Sequence, residues 1–247
     1  MHSLVYNSSI SMKPTAKLSF KITAGILIPL ARMLVRLDIR GRENLPPQGP
    51  IIAICNHIHL LDPILHIIAI LPRDSIFLAK EELFRPLPNP FFFILMKVVD
   101  AIRVPRRGTD EERREVIEKS LKVLEEGLVL GIYPEGTRSE TAQLNLANPG
   151  AARLALRSGA PLIPISIYGT EKLSGAGWLK RPRVVITFGK PFHLPRPDRE
   201  PSFTRVQQLT AMLMEQLCAI LPPEYHGKYG KQGNVATEVN KEHVSGN

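Results

Sequence analysis

The chain has 247 residues, of which 44% are hydrophobic, and its formal net charge is +9. This length fits one domain with a sizeable core, and the composition excludes general disorder. The charge favours anionic partners, but few aromatic residues accompany the basic ones and no nucleic-acid motif is present. We therefore expect a membrane surface or a phosphate ligand rather than nucleic acid.

The two cysteines, Cys55 and Cys218, lie far apart in apolar runs. Two buried free thiols are the simpler interpretation of this pattern, and they suit a reducing cytoplasm. No group of residues has the spacing of a metal site, so no metal ion is expected.

Residues 1–40 are predicted to be a polar tail followed by a basic amphipathic segment. The apolar run over residues 22–37 is short and interrupted, which makes it a poor transmembrane helix. On a helical wheel the basic residues lie opposite the large apolar ones: Lys17, Lys21, Arg32 and Arg36 against Ile22, Ile26, Leu30, Met33 and Leu37. Two interpretations are open, a segment lying on a membrane or a helix packed on the core with a solvated basic face.

Residues 41–223 alternate between strand and helix patterns. Short apolar runs predict strands over residues 51–55, 76–79, 101–104, 128–133, 161–168 and 183–189. Helix patterns and end signals predict helices over residues 62–71, 109–126, 150–158 and 202–221. This alternation predicts an α/β domain in which helices flank a mixed, largely parallel sheet.

Two further segments complete the domain assignment. The apolar run over residues 91–99 is too short to span a bilayer, and is either a buried helix or a wall of an acyl pocket. Residues 224–247 are polar without an apolar pattern, and we predict a disordered tail there.

The first motif with chemical meaning is NHIHLLD at residues 56–62, which contains His57 and Asp62. A neutral imidazole can remove a proton from a hydroxyl that attacks a thioester, and a carboxylate can orient that imidazole. The spacing works if His57 lies on the loop after a strand and Asp62 in the first turn of a helix, where the Asp62-Pro63 start signal places it as N-cap.

Each of these residues also has an ordinary explanation. His57 alone is compatible with a simple loop histidine, and Asp62 with a helix cap only. His59 and His66 are alternative bases, although His66 lies within an apolar helix and is more typical of a core residue.

The second motif is EGTRS, residues 135–139, directly after a predicted strand. A glycine turn with an arginine presents backbone N–H groups and a guanidinium to an anion. We expect Glu135 to orient the turn or Arg138 rather than to react. The alternative is a tight structural turn with an exposed arginine.

The third motif is DAIRVPRRG, residues 100–108, in which Arg103, Arg106 and Arg107 follow or end a predicted strand. From the residues alone, an exposed basic turn explains these arginines as well as a phosphate site does.

Together and in this order, these motifs resemble the glycerolipid acyltransferase family, which includes lysophosphatidic-acid acyltransferases. The resemblance runs from about residue 41 to residue 189 and includes PLIPISIYGT at residues 161–170, a block that helps to shape the acyl-donor site in the family. Two departures are His59, where a small hydroxyl residue is common, and Asp100, where a glycine is usual.

The resemblance implies transfer of a fatty acyl group from a thioester of coenzyme A or acyl carrier protein to a lysophospholipid. The foremost acceptor is 1-acylglycerol 3-phosphate, which gives phosphatidic acid, and no other cofactor is implied. It implies a peripheral or monotopic enzyme on the cytoplasmic face of the cell membrane. The implied catalytic pair is His57 and Asp62, and the implied substrate-binding residues are Arg106, Glu135, Gly136, Thr137 and Arg138.

Three alternatives remain open from the sequence. A related acyltransferase acts on glycerol 3-phosphate, another lysophospholipid or a lyso-ornithine lipid. A hydrolase uses the same histidine–aspartate pair to activate water on an ester or thioester. A non-catalytic module binds lipid or an anionic membrane without turnover.

Overall fold

The computed structural model describes residues 25, 28–29, 31–84, 101–106, 108–196 and 199–230. The predicted apolar run over residues 91–99 lies outside these ranges, as do Lys17, Lys21, Asp100 and Arg107.

Within the described residues, seven strands form one sheet: β1 (Arg36–Arg40), β2 (Ile51–Cys55), β3 (Ser75–Lys80), β4 (Ala101–Val104), β5 (Val129–Ile132), β6 (Leu162–Tyr168) and β7 (Arg183–Phe188). Their order is β1-β7-β6-β2-β5-β3-β4. Five neighbouring pairs are parallel, and β6 and β7 are antiparallel. The predicted α/β fold with a mixed, largely parallel sheet is confirmed.

Helices cover both faces of the sheet: α1 (Asp62–Ile70), α2 (Asp110–Glu125), α3 (Gly150–Ser158) and α4 (Phe203–Cys218). Residues of α2, α3 and α4 pack in one core cluster, and residues of α1 pack in a second one. The central strands are therefore buried on both sides, and every residue of β2 and β5 is buried. This explains why these strands are continuous apolar runs rather than alternating ones.

The sequence signals at the start of α2 and at the ends of α2 and α3 match the structure. Thr109 and Glu112 form a reciprocal capping box at the start of α2, which satisfies backbone N–H groups that have no partner within the helix. Gly127, just after α2, and Gly159, just after α3, both have positive φ, at 73° and 67°. Glycine adopts this left-handed conformation without steric strain and so ends each helix.

The fold extends beyond the predicted domain limits of 41 and 223 at both ends. β1 begins at Arg36, inside the segment predicted to be amphipathic, and the described residues just before it, 31–34, are helical. At the other end, short 3-10 helices Pro223–Tyr225 and Gly227–Tyr229 follow α4. Tyr225 is buried, so at least residues 224–230 of the predicted tail belong to the packed domain.

Most strands of the sheet end at the same edge. β2, β3, β4, β5 and β6 all end at this edge, whereas β1 and β7 run the other way and begin there. We call it the carboxyl edge. Ligands of open α/β sheets bind outside the carboxyl ends of parallel strands, so the loops that leave this edge are the first place to look for a site.

No helix in the described part of the chain is long and apolar enough to cross a membrane.

Candidate active site

The loop after β2 is fixed to the neighbouring strand by Asn56. The buried amide of Asn56 donates to the carbonyl oxygen of Ile167 at 2.8 Å and accepts from the backbone N–H of Ile167 at 2.8 Å. This two-way bond holds the start of the loop against β6. Sequence reasoning did not identify Asn56, although a polar amide directly after a buried strand was a usable signal.

His57 follows Asn56, and its ring contacts the carboxylate of Asp62. His57 Nδ1 and Asp62 Oδ2 are 3.0 Å apart, and the Asp62 side chain is fully buried while that of His57 is 16% exposed. The carboxylate holds the ring proton on Nδ1, which leaves the lone pair on Nε2. The ring is thus prepared to accept a proton at Nε2.

Asp62 also organises the backbone of the loop. Its Oδ2 accepts from the backbone N–H groups of Ile58 and His59, both at 2.6 Å. The predicted N-cap assignment is off by one residue: Leu61 is the N-cap, and Asp62 is the first residue of α1. The carboxylate therefore bonds to the loop before α1 and makes no capping bond to the helix.

The two competing histidines have different surroundings. Nδ1 of His59 accepts from the N–H of Leu61 at 3.3 Å, and burial, with a contribution from Arg138, lowers the pKa of His59. His66 is fully buried in α1 beside Tyr133, 2.8 Å from its hydroxyl, and burial lowers its pKa to about 4. Among the three, only the ring of His57 contacts a carboxylate.

Tyr133 forms the floor beneath the His57 ring. The two ring centroids are 4.4 Å apart, and Tyr133 also packs 5.9 Å from Phe77. Burial raises the pKa of Tyr133 well above its ordinary value, so the phenol stays protonated. This aromatic contact was not predicted, although an aromatic residue between a buried strand and a glycine turn marks the position.

Glu135 connects the glycine turn to the His57 loop. Its Oε1 accepts from the N–H of His57 at 3.1 Å, and its Oε2 accepts from the N–H of Asn145 at 2.9 Å. The N–H of Ser139 donates to the carbonyl oxygen of His57 at 2.7 Å. Both carboxylate oxygens thus accept from backbone N–H groups, and they join the turn to the His57 loop and to the segment at Asn145.

The environment of Glu135 makes it an unusual acid. The residue is only 5% exposed, and burial raises the pKa of its carboxyl group to about 7, against the opposing effect of the two backbone N–H groups. The group therefore titrates near neutral pH.

The glycine turn itself is exposed at the carboxyl edge. Gly136 has φ +67°, and a Cβ there would lie 2.8 Å from Asn148 Nδ2, so both conformation and space favour glycine. Thr137 and Arg138 are exposed. The N–H groups of Gly136 and Ser139 already donate to backbone carbonyl oxygens, so the turn can present those of Thr137 and Arg138, with the Arg138 guanidinium, to an anion.

Arg106 lies in the exposed turn that follows β4. Because β3 separates β4 from β5 in the sheet, Arg106 and Arg138 leave strands whose axes are roughly 10 Å apart. Arg103 differs from both, since its guanidinium packs over the ring of Phe84, 4.6 Å from the centroid. The structure thus separates Arg103 from the predicted anion-binding arginines.

The described residues contain no group of three histidine, cysteine, aspartate or glutamate side chains that could hold a metal ion. Cys55 and Cys218 are free and buried, and burial raises the pKa of both thiols. Neither is a prepared nucleophile.

Comparison with known proteins identifies the class to which this site belongs. Residues 36–168, more than half of the chain, match the acyltransferase family. The chain belongs to this family.

Two curated relatives carry the same printed name, 1-acyl-sn-glycerol-3-phosphate acyltransferase. The one from Borreliella burgdorferi is 32% identical over 156 residues, which is 63% of this chain and 60% of that protein, so the chain spans less than two thirds of its length. The one from Bacillus subtilis is 29% identical over 199 residues, which is 80% of this chain and 94% of that protein.

A solved structure supports the fold. The crystal structure of the 1-acyl-sn-glycerophosphate acyltransferase PlsC from Thermotoga maritima superposes with a TM-score of 0.52 at 21% identity, covering 81% of this chain and 75% of that one.

Proposed function

We propose that the protein transfers a fatty acyl group from an acyl thioester to the free hydroxyl of 1-acylglycerol 3-phosphate, which gives phosphatidic acid. One observation carries the proposal: the pair of His57 and the buried Asp62 lies at the carboxyl edge beside the exposed glycine–arginine turn of residues 136–138. Acylation of a phosphate-bearing alcohol needs both a base to deprotonate the hydroxyl and a site that binds the phosphate. The names of the curated relatives point to the same reaction.

The chemistry follows from the free Nε2 of His57. Nε2 removes the proton from the acceptor hydroxyl as that oxygen attacks the thioester carbonyl carbon, which forms a tetrahedral intermediate. The intermediate collapses with cleavage of the carbon–sulfur bond, and the imidazolium returns its proton to the leaving thiolate. Asp62 stabilises the imidazolium through the 3.0 Å contact with Nδ1. No enzyme nucleophile is needed because a thioester is already activated.

The acyl donor is a thioester of coenzyme A or of acyl carrier protein, and this thioester must reach the carboxyl edge. β6, the block implied to help shape the donor site, is buried from Leu162 to Ile167 between β2 and β7. Only the end of β6, near Tyr168, is therefore in a position to meet a substrate.

The purified full chain, incubated in lipid vesicles with 1-acylglycerol 3-phosphate and each donor, should give phosphatidic acid by mass spectrometry. A panel of other lyso-acceptors and glycerol 3-phosphate tests acceptor choice. Equal thiol release with and without acceptor, with free fatty acid as the product, would instead identify a hydrolase. Lipid binding without turnover of any donor would identify a binding module.

Arg106 and Arg138 are proposed to hold the acceptor phosphate. Replacing either by alanine should raise the KM for 1-acylglycerol 3-phosphate by about 10-fold or more with a smaller change in kcat, because a charge-assisted phosphate contact is lost. Lysine should substitute poorly, since it lacks the planar fork of donors. Steady-state kinetics with varied acceptor measure both effects.

The matched control is Arg205→Ala, which removes an exposed arginine on α4 and should leave the acceptor KM unchanged. If Arg103→Ala raises the KM while the Arg106 and Arg138 variants behave normally, the phosphate site has been assigned to the wrong arginines.

The segment of residues 17–36 is proposed to lie on the anionic cytoplasmic face of the cell membrane. Each basic residue near such a surface adds about 1 kcal/mol of attraction, so Lys17→Glu with Lys21→Glu should weaken flotation with anionic vesicles at least tenfold. Salt should weaken binding of the unmodified chain. A chain beginning at residue 41 would lose β1 from the sheet, so the charge variants are made in the full chain.

The corresponding control is the same pair of lysines replaced by arginine, which keeps the charge and should keep the flotation. Equal flotation of the glutamate and arginine variants would exclude this segment as the electrostatic anchor.

A further inference from the structure

The loop between β6 and β7 exposes two large apolar side chains next to each other. Within the 3-10 helix Gly177–Lys180, Trp178 is 48% exposed and Leu179 is 65% exposed. Single exposed apolar residues are common on protein surfaces, but adjacent ones of this size are not explained by packing.

The loop is a well-defined structure, not a loose connection. The N–H groups of Gly177, Leu179 and Arg181 donate to carbonyl oxygens three residues earlier, at 3.1 Å each. A side chain at Gly177 would collide with the backbone carbonyl of Lys172, and Leu173 is buried in the core. These contacts fix the backbone of the loop, from which Trp178 and Leu179 are exposed.

This loop is joined to the helical residues 31–34. The guanidinium of Arg181 donates to the carbonyl oxygen of Arg32 at 2.6 Å, and Arg36 Nε donates to the carbonyl oxygen of Arg181 at 3.1 Å. Ala31 in this helical part is buried, whereas Met33 is 62% exposed. The two segments that carry these exposed apolar residues are thus neighbours on the surface of the fold.

The same surface is basic. Its members are Arg32, Met33, Lys172, Trp178, Leu179, Lys180 and Arg181, and all of them are exposed. We call this set the Trp178 surface. Of two nearby carboxylates, Asp38 is paired with Arg40 and Arg183. Glu171 accepts from the hydroxyl of Tyr225 and the N–H of Gly169 and keeps its charge, but the four basic members of the set outnumber it. Positive charge therefore dominates around the apolar tips.

The strand directions place this surface at the carboxyl edge. The loop leaves β6 after Tyr168 and enters β7 at Arg183, and β1 begins opposite Arg183. One residue before the end of β6, Ile167 bonds to Asn56, the neighbour of His57. The Trp178 surface and the base therefore open at the same edge of the sheet.

We propose that the Trp178 surface docks on an anionic lipid bilayer, with Trp178 and Leu179 in the interface and the basic side chains against the head groups. Indole rings favour the boundary between head groups and acyl chains, and lysine and arginine favour anionic head groups. Docking in this way turns the carboxyl edge towards the bilayer that contains the acceptor. The choice of a lipid partner rests on the proposed function.

A second copy of the chain is a poorer fit to this surface. A stable protein interface needs about 800 Å² on each partner, contributed by roughly 20–30 residues. The Trp178 surface has three large apolar residues within a basic rim, and a symmetric partner would bring like charges together. Insertion into a bilayer requires only that the exposed apolar side chains enter the interface.

The experiment uses the fact that Trp178 is the only tryptophan in the chain. Full-length protein is mixed with vesicles of phosphatidylcholine alone or with phosphatidylglycerol. Tryptophan emission should shift to shorter wavelength only with the anionic vesicles, and brominated acyl chains should quench it. An unchanged emission spectrum while the protein floats with the vesicles would overturn the proposal, because Trp178 would then remain in water.

Variants give an independent measurement. Trp178→Ser with Leu179→Ser should weaken vesicle flotation about tenfold or more, as expected for removal of two inserting apolar side chains. Met212→Ser, at an exposed methionine on α4 that is 40% exposed, is the matched control and should float normally. Thermal unfolding checks that each variant is folded. Normal flotation of the folded double variant, or a change in its oligomeric state alone, would reject lipid docking.

Acyl transfer to soluble and to vesicle-borne acceptors distinguishes a failure of lipid docking from a failure of the proposed activity. The double variant should acylate a soluble short-chain acceptor normally and a vesicle-borne acceptor more slowly. If the unmodified chain shows the lipid-dependent emission shift but no acyl transfer to either acceptor, docking stands and the proposed function fails. If transfer at vesicles is the same in both proteins, the function stands and the docking proposal fails.

Discussion

His57→Ala is expected to lower the rate of acyl transfer by about 10²–10⁴-fold, the usual effect of a lost general base. The ring lies on Tyr133 with its Nδ1 fixed by Asp62, and alanine removes the Nε2 that accepts the proton. The loop should survive, because the backbone bonds from residues 57 and 139 and the Asp62 contacts with Ile58 and His59 need no imidazole.

Single-turnover kinetics with bound donor measure this loss without interference from substrate binding. His59→Ala is the paired control. Its ring accepts only from a backbone N–H of its own loop, so it should retain turnover within a few-fold of the unmodified chain. Near-normal turnover in His57→Ala together with a large loss in His59→Ala would assign the base to the other histidine.

Asp62→Asn is expected to lower kcat by about 10²–10⁴-fold, as is typical when the orienting carboxylate of a catalytic histidine becomes an amide. The amide oxygen can still accept from Ile58 and His59, but the negative charge that stabilises the imidazolium is gone. The KM for the acceptor should change little, because Asp62 is fully buried and cannot touch substrate.

The variant should also be less stable, by about 1–3 kcal/mol. Oδ1 of Asp62 is buried without a hydrogen-bond partner in the described part of the chain, so the amide nitrogen either takes that position unpaired or faces the backbone donors. Urea unfolding measures this loss in the free energy of unfolding. It also shows under which conditions the variant is fully folded, and kcat is compared under those conditions. Activity within about threefold of normal under those conditions would mean that Asp62 is only structural.

The sequence was most informative where local signals were strong. β2 and β4 have the predicted limits, and Thr109, Gly127 and Gly159 mark helix ends as expected. Their physical basis lies within a few residues of chain, in capping bonds and glycine conformations, so no tertiary information is needed.

β1 shows where local reasoning fails. Leu37 and Ile39 alternate with charged residues, as in a strand. The run has only five residues and directly follows a helical segment, so its apolar residues also fit the amphipathic helix pattern predicted for that segment. What makes it a strand is pairing with β7, about 145 residues away. No window of local sequence contains that partner.

The part of the site that depends on residues close in sequence was predictable, and the part that depends on distant residues was not. His57 and Asp62 are near in sequence, and the structure brings them together as their spacing suggested. Asn56 depends on Ile167, and the two oxygens of Glu135 face His57 and Asn145. These long-range bonds depend on the order of the strands in the sheet. The sequence alone therefore predicted an orienting role for Glu135 but not its hydrogen-bond partners.

Glu135 couples the folding of the catalytic loop to proton uptake. Its pKa is about 7 in the folded chain against an ordinary value of 4.5, so between these pH values the chain gains a proton here as it folds. The resulting contribution to stability is complete below pH 4.5 and is lost as the pH rises through 7. Mild acid weakens many proteins by protonating paired carboxylates, whereas at this residue it favours the folded state. The loop that carries the base is thus attached through a group sensitive to the acidity of its surroundings.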